Sequence, residues 1–350
     1  MKINPIFSDN MILQANKPVS IFGTGTGKVT VGIANREVAV VSNNENWVAK
    51  LPAFDYGGPY EMSVNLDGEI KRFKDIYFGD VYLLSGQSNI ELSLRNTNTP
   101  NEYYKDNDSL RMFAVDSDSW KVTASKKKAD GVMSEQCIPK DCWLKAQKDT
   151  VSLWSALGYL VGDELAKHTD RKIGLIGCFH GASPIQSWLP KHFLDNTDCF
   201  VPLEKRSDNA RNPNYSAWNG DGMLYDGMLK GIIPFALKAV IWYQGESNAN
   251  GEDSKREVYA GILKMLIDKW RKDFKDANLP FVVVQIHDYV YFVNNEDGGW
   301  RNVQSAQEEV CKTVQHTYLV KCADICETTE IHPASKLELA FRIAEILKGF

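Results

Sequence analysis

Five short apolar runs, each followed by a stretch of helical periodicity, set the narrowest limit on what this chain can fold into. They are Val81–Ser85, Ile173–Cys178, Ala239–Tyr243, Phe281–Ile286 and Thr317–Cys322. Apolar residues recurring every three to four positions predict helices over 151–168, 221–236, 253–274, 300–312 and 335–349. Strands that are apolar on both faces and alternate with helices predict a parallel sheet covered on both sides. In such sheets, ligands bind beyond the carboxyl ends of the strands.

The first 76 residues follow a different rule. Val19–Phe22, Val29–Ile33, Val38–Val41, Trp47–Leu51 and Tyr60–Val64 alternate with a period of two and are separated by Gly-, Asn- and Pro-rich turns. That pattern predicts an antiparallel β-sandwich module over 1–76, preceding an α/β domain over 77–350. Residues 95–150 read as an irregular polar excursion from the sheet, forming a wall of a cleft.

Composition narrows the function classes. At 350 residues and 43% hydrophobic the chain can bury a sizeable core. A net charge of −5 offers no basic surface for nucleic acid, and Lys126–Lys128 is the one short basic block, read as a solvated loop. No apolar run approaches the ~20 residues that span a bilayer. The opening Met-Lys-Ile-Asn-Pro lacks the apolar core of a secretory signal, which makes the cytoplasm the default expectation. Seven cysteines without paired zinc-type spacings predict free thiols and no metal site.

The reactive residue types fall at the strand ends. Gly86-Gln87-Ser88-Asn89 follows the first run and Phe179-His180-Gly181 the second. Gln244-Gly-Glu246-Ser-Asn248 follows the third, and Glu330-Ile-His332-Pro333 precedes the last helix. One crevice can gather all four. Taken alone, Ser88 is either the N-cap of a helix or a nucleophile exposed at the helix mouth. Acyl transfer needs a base, for which His332 is the best placed of six histidines, and oxyanion donors. The Ser88 N–H, the Gly181 N–H and a side-chain amide from Gln244 or Asn248 are the candidate donors. His180 and His287 lie in crevice-facing loops, as substrate contacts or as structural histidines.

These blocks resemble the signatures of the sialate O-acetylesterase family, a carbohydrate-esterase branch of the SGNH hydrolases. Gly86–Asn89, Ile241–Ala249 and Ile331–Pro333 carry the resemblance, with support from Phe7–Gln14, Gly57–Met62, Phe78–Val81, Ser155–Tyr159 and Pro184–Trp188. It implies an SGNH, flavodoxin-like three-layer α/β/α domain and removal of acetyl esters from sugar hydroxyls without a cofactor or metal. Ser88 is then the nucleophile, with His332 the general base. Gly181 and Gln244 become oxyanion donors, Asn248 being the alternative to Gln244. His180, Gln87, Glu246 and Arg301 are the expected substrate contacts, although Glu246 also suits a role holding loop backbone. Where relatives carry Asp two residues before the histidine this chain has Glu330, and Thr329 stands where the broader SGNH pattern has Asp. The third triad member is therefore Glu330, Asp324 or absent. Phe179–Ala182 replaces the usual Ser-Trp-Gly-Gly, and Gln304 stands where relatives carry arginine, with Arg301 nearby. The implied partner is an acetylated carbohydrate, sialic acid first, with acetylxylan or another polysaccharide as the alternative. A non-catalytic relative would instead stack sugars on Trp188, Trp242 and Trp300.

Overall fold

The computed structural model describes residues 1–43, 45–116, 140–294 and 298–350. Cys137 and Lys126–Lys128 lie outside these residues. Among the described residues the other six cysteines are free thiols, and no helix is long and apolar enough to cross a membrane.

Eight strands open the chain: β1 (Lys2–Ile3), β2 (Ile12–Gln14), β3 (Val19–Thr24), β4 (Gly27–Ile33), β5 (Arg36–Ser42), β6 (Asn46–Leu51), β7 (Gly57–Leu66) and β8 (Glu69–Gly86). Strands β1, β3 and β6 form a three-stranded antiparallel sheet, while β4 pairs with β5 and β7, and β7 with β8. The period-two pattern thus reports antiparallel pairing correctly. The second group is continuous with the central sheet, because β8 runs unbroken for 18 residues across position 76. Its first half, Glu-Ile-Lys-Arg-Phe-Lys, alternates between exposed and half-buried; from Phe78 to Gly86 every residue is buried.

The central sheet adds β9 (Asn107–Ala114), β10 (Trp143–Ala146), β11 (Ile173–Phe179), β12 (Ala239–Tyr243), β13 (Phe281–Val284) and β14 (Thr317–Val320), in the order β10-β9-β11-β8-β12-β13-β14. All neighbours run parallel except β10. Strands β9 and β10 correct the expectation of an irregular 95–150. The apolar run in β9 is interrupted by Arg111, which is buried because its guanidinium donates to the Asp108 and Leu110 carbonyls and reaches Asp75.

Five helices complete the frame: α1 (Ser88–Glu91), α2 (Ala156–Ala166), α3 (Arg256–Asp273), α4 (Gly299–Thr313) and α5 (Leu337–Leu347). The helix expected over 221–236 is instead the short turns Met223–Gly227 and Leu229–Ile232, in a stretch interrupted by Gly227, Gly231 and Pro234. Sheet register places the helices on both faces. Leu84 pairs with Ile241, so Trp242 projects to the opposite side. Gly158 of α2 lies against Leu84, whereas Trp270 of α3 packs edge-on against Trp242 with centroids 5.5 Å apart.

The carboxyl end of β8 meets β12 at an unusually close approach. Gly86 has φ +134°, and a Cβ there would stand 2.0 Å from the Tyr243 carbonyl oxygen. Only glycine meets both constraints. Gly86→Ala is expected to cost on the order of 3 kcal/mol, read as a lowered urea midpoint. A loss under about 0.5 kcal/mol would contradict the close packing.

Candidate active site

Two backbone hydrogen bonds fix the turn that leads into Ser88. The Gln87 N–H donates to the Tyr243 carbonyl at 3.0 Å, and the His180 N–H donates to Gly86 at 3.0 Å. The four-residue α1 is then tied to α2, since Ser155 Oγ donates to the Ile90 carbonyl at 2.6 Å and also caps α2 by accepting from the Gly158 N–H. The N-cap position falls on Gln87, so Ser88 is the first helical residue and does not cap the helix. Its Oγ lies 2.7 Å from His332 Nε2.

His332 is partly buried. Burial first, then the nearby positive charges of Lys336 and His287, push its imidazole down to about 4. Among the described residues no carboxylate bonds to it. Asp324 is turned to the surface in a bidentate pair with Arg342 at 2.8 and 2.7 Å. The Glu330 side chain is exposed, and that residue enters the site only through its main-chain carbonyl. The structure therefore brings Ser88 and His332 together and leaves both expected acids outside, because the chain turns Glu330 toward solvent while Arg342 draws Asp324 outward.

The amides of the strand-end blocks are committed to one another. Gln244 Nε2 donates to Gln87 Oε1, the Ser183 carbonyl and Asn248 Oδ1 at 3.2, 3.1 and 2.8 Å, while its Oε1 accepts from the Tyr259 hydroxyl. Asn248 Nδ2 donates to Gln186 and Asp253, and its Oδ1 accepts from the Ile185 N–H. Both are wholly buried. Neither amide retains a donor for an oxyanion, so these two expectations are corrected to bracing roles. Gln87 likewise braces, its Oε1 accepting from the Gly245 and Ser247 N–H groups. The expected main-chain donors are the Ser88 N–H and the Gly181 N–H, the latter already donating to Glu91. A Cβ on Gly181 would lie 3.7 Å from Ser88 Cβ, which places that glycine beside Ser88.

Glu91, absent from the expected site, sits here too. The Gly181 N–H donates to its carboxylate, and burial pushes the carboxyl up to about 7 against that bond and the charge of Lys140. Its position three residues after Ser88 was the available signal, since residues three apart share a helix face. Lys336, four residues after His332, is the second group missed. Its Nζ donates to Asn89 Oδ1 at 2.9 Å, and Asn89 Nδ2 donates to Glu246 Oε1 at 2.6 Å and to the Ile331 carbonyl at 3.0 Å. Glu246 thus holds Asn89, and burial raises its carboxyl, whose Oε2 has no partner among the described residues.

The remaining expected contacts divide. His180 is partly buried beside Gly181, with its ring 4.7 Å from Trp218. Arg301 is drawn to the surface by Asp288 at 2.8 and 3.1 Å. Trp188, Trp242 and Trp300 are at most 2% exposed and belong to the core, so none offers a stacking platform.

The chain is similar to several known proteins. The family described as "Carbohydrate esterase, sialic acid-specific acetylesterase" matches residues 78–347. The human sialate O-acetylesterase is 25% identical over 372 residues, covering 96% of this chain and 68% of that protein. The rat sialate O-acetylesterase is also 25% identical, over 96% and 71%. The crystal structure of a carbohydrate acetylesterase from Xanthomonas citri superposes with a TM-score of 0.81 and 26% identity, covering all of this chain and 76% of that one.

The lowered His332 has a direct readout. Its ring is expected to remain neutral until the pH falls to about 4, followed by nitrogen-15 NMR of labelled histidine. A midpoint at the ordinary 6.5 would contradict the burial and the opposing charges.

Proposed function

The chain belongs to the sialic acid-specific acetylesterase family of carbohydrate esterases, and on that premise we propose that it removes O-acetyl groups from sugars, sialic acids foremost, through an acetyl-enzyme on Ser88. That it is a carboxylic ester hydrolase follows from the family. The serine route rests chiefly on one observation, the 2.7 Å contact between Ser88 Oγ and His332 Nε2 across 244 residues of sequence. The preference for sialic acid draws its support from the names of the human and rat relatives.

Ser88 Oγ attacks the acetyl carbonyl as His332 Nε2 takes its proton. The oxyanion is met by the Ser88 and Gly181 N–H groups, and each such donor contributes roughly 10²–10³ in turnover. The imidazolium then returns the proton to the departing sugar oxygen. Water activated by the same ring releases acetate in the second half.

Gly181 gives Glu91 a second part in this sequence. Its N–H already donates to the Glu91 carboxyl, so the oxyanion competes with that group for it. Below about pH 7 that carboxyl is neutral and can yield the donor. Above it, a carboxylate faces a second negative charge developing at the same N–H.

Ser88→Ala is expected to lower acetate release from O-acetylated sialic acid and from 4-nitrophenyl acetate by roughly 10⁴-fold or more. Retained turnover on both substrates would sink the serine assignment, and faster release from acetylated xylan than from sialic acid would reassign the sugar. For Glu91, kcat/KM is expected to decline as the pH rises through about 7, and Glu91→Gln to abolish that decline. An unchanged alkaline limb in the variant would remove Glu91 from the mechanism.

A further inference from the structure

With no carboxylate behind it, the His332 ring must be oriented by something else. The loop that carries it is held at two consecutive carbonyls. His287 Nε2 donates to the Glu330 carbonyl at 2.8 Å, and Asn89 Nδ2 donates to the Ile331 carbonyl at 3.0 Å. A carbonyl only accepts, so the His287 proton must sit on Nε2, and in the neutral ring Nδ1 is bare. That nitrogen is buried without a partner among the described residues. Burying a bare nitrogen costs free energy that an aliphatic side chain of similar size would not. The cost is unrewarded unless the opposite nitrogen does something an aliphatic group cannot.

His287 is itself anchored. It follows β13, it is fully buried, and its carbonyl accepts from Trp300 Nε1 at 2.7 Å. The Trp300 ring lies edge-on to the imidazole with centroids 6.4 Å apart. A line of contacts therefore runs from Trp300 in α4 through His287 to the backbone two residues before His332.

We propose that His287 is a positioning residue of the ester hydrolysis, fixing the His332 loop through the Glu330 carbonyl and so doing for the backbone what the acid of a Ser–His–acid triad does for the imidazole. The charged and titratable groups around His287 are Lys336, Asp288, Glu327 and His332. Protonation would add a hydrogen at Nδ1 and leave the Nε2–H in place, so the clamp is the same in either charge state.

The proposal rests on the Ser88–His332 reading and is tested beside it in the full chain. Glutamine at 287 can place an amide nitrogen where Nε2 stands; asparagine stops short of the Glu330 carbonyl. With 4-nitrophenyl acetate, His287→Asn is expected to lower kcat by up to about 100-fold with KM little changed, and His287→Gln to recover most of the loss. Melting curves establish that both variants fold. Two variants alike, whether both active or both equally impaired, overturn the proposal. Independently of any variant, nitrogen-15 NMR of the wild-type protein is expected to show His287 as the Nε2-protonated tautomer, and an Nδ1-protonated ring overturns it. Activity in Ser88→Ala would refute the underlying reading, whereas an inert Ser88→Ala with indistinguishable Asn and Gln variants refutes only the role of His287.

Discussion

The approach of Gly86 to the Tyr243 carbonyl is the contact on which the site depends. Two central strands end there, side by side, and from that point the chain turns into α1 with Ser88 as its first residue. Any side chain at 86 would push β8 and β12 apart and carry Ser88 away from His332. Because β8 is a single strand, a shift at its carboxyl end would also be felt in the antiparallel pairing with β7. The position of Ser88 and the amino-terminal architecture are thus properties of one strand.

Around that contact the polar groups sort by partner rather than by type. Asn89, Gln87, Gln244 and Asn248 have the chemistry of oxyanion donors, yet each is engaged with another strand-end loop. Buried amides that are fully satisfied make a rigid frame, and a rigid frame is what a pair of main-chain donors needs, since a peptide N–H cannot reorient independently of its loop. The strand-end loops hold one another in register beside the Ser88–His332 pair, with the Gly181 N–H engaged by Glu91. Asn89 shows how tightly the two ends of the chain are joined: one side chain links Lys336, Glu246 and the Ile331 carbonyl.

This sorting also explains what could be read from the residues alone. Short apolar runs of the central sheet were legible, β12 to the residue and β11, β13 and β14 to within two at one end. Strand β9 was hidden because Arg111 breaks its run, and the unity of β8 because its two halves obey different burial rules. Ser88 and His332 stood out only together, because each lies in one of four blocks that a single crevice can gather and that resemble one family's signatures. Gln244 and Asn248 misled, since an amide that donates to an oxyanion and an amide that braces a loop are the same residue in sequence and differ only in their neighbours. Lys336 was invisible for the reverse reason: a lysine at the start of an amphipathic helix reads as solvated until its single buried partner is known.

The lowered imidazole of His332, with no carboxylate bonded to it among the described residues, follows from burial first and Lys336 second. Its charge, held near His332, disfavours the imidazolium, and its link through Asn89 leads to Glu246, whose burial favours the neutral acid. Burial also disfavours the charge on Lys336 itself, and His332 stays unprotonated in mildly acid surroundings where an ordinary histidine would already be charged. A weaker base slows proton transfer at neutral pH, so on the proposed serine route the rate must be recovered through geometry. Short, fixed contacts supply it: the hydroxyl is already 2.7 Å from Nε2, and the loop beneath the ring is pinned at two carbonyls. Orientation achieved before substrate arrives lowers the barrier without requiring a strong base, which is why the braces around the Ser–His pair matter as much to this site as the pair itself.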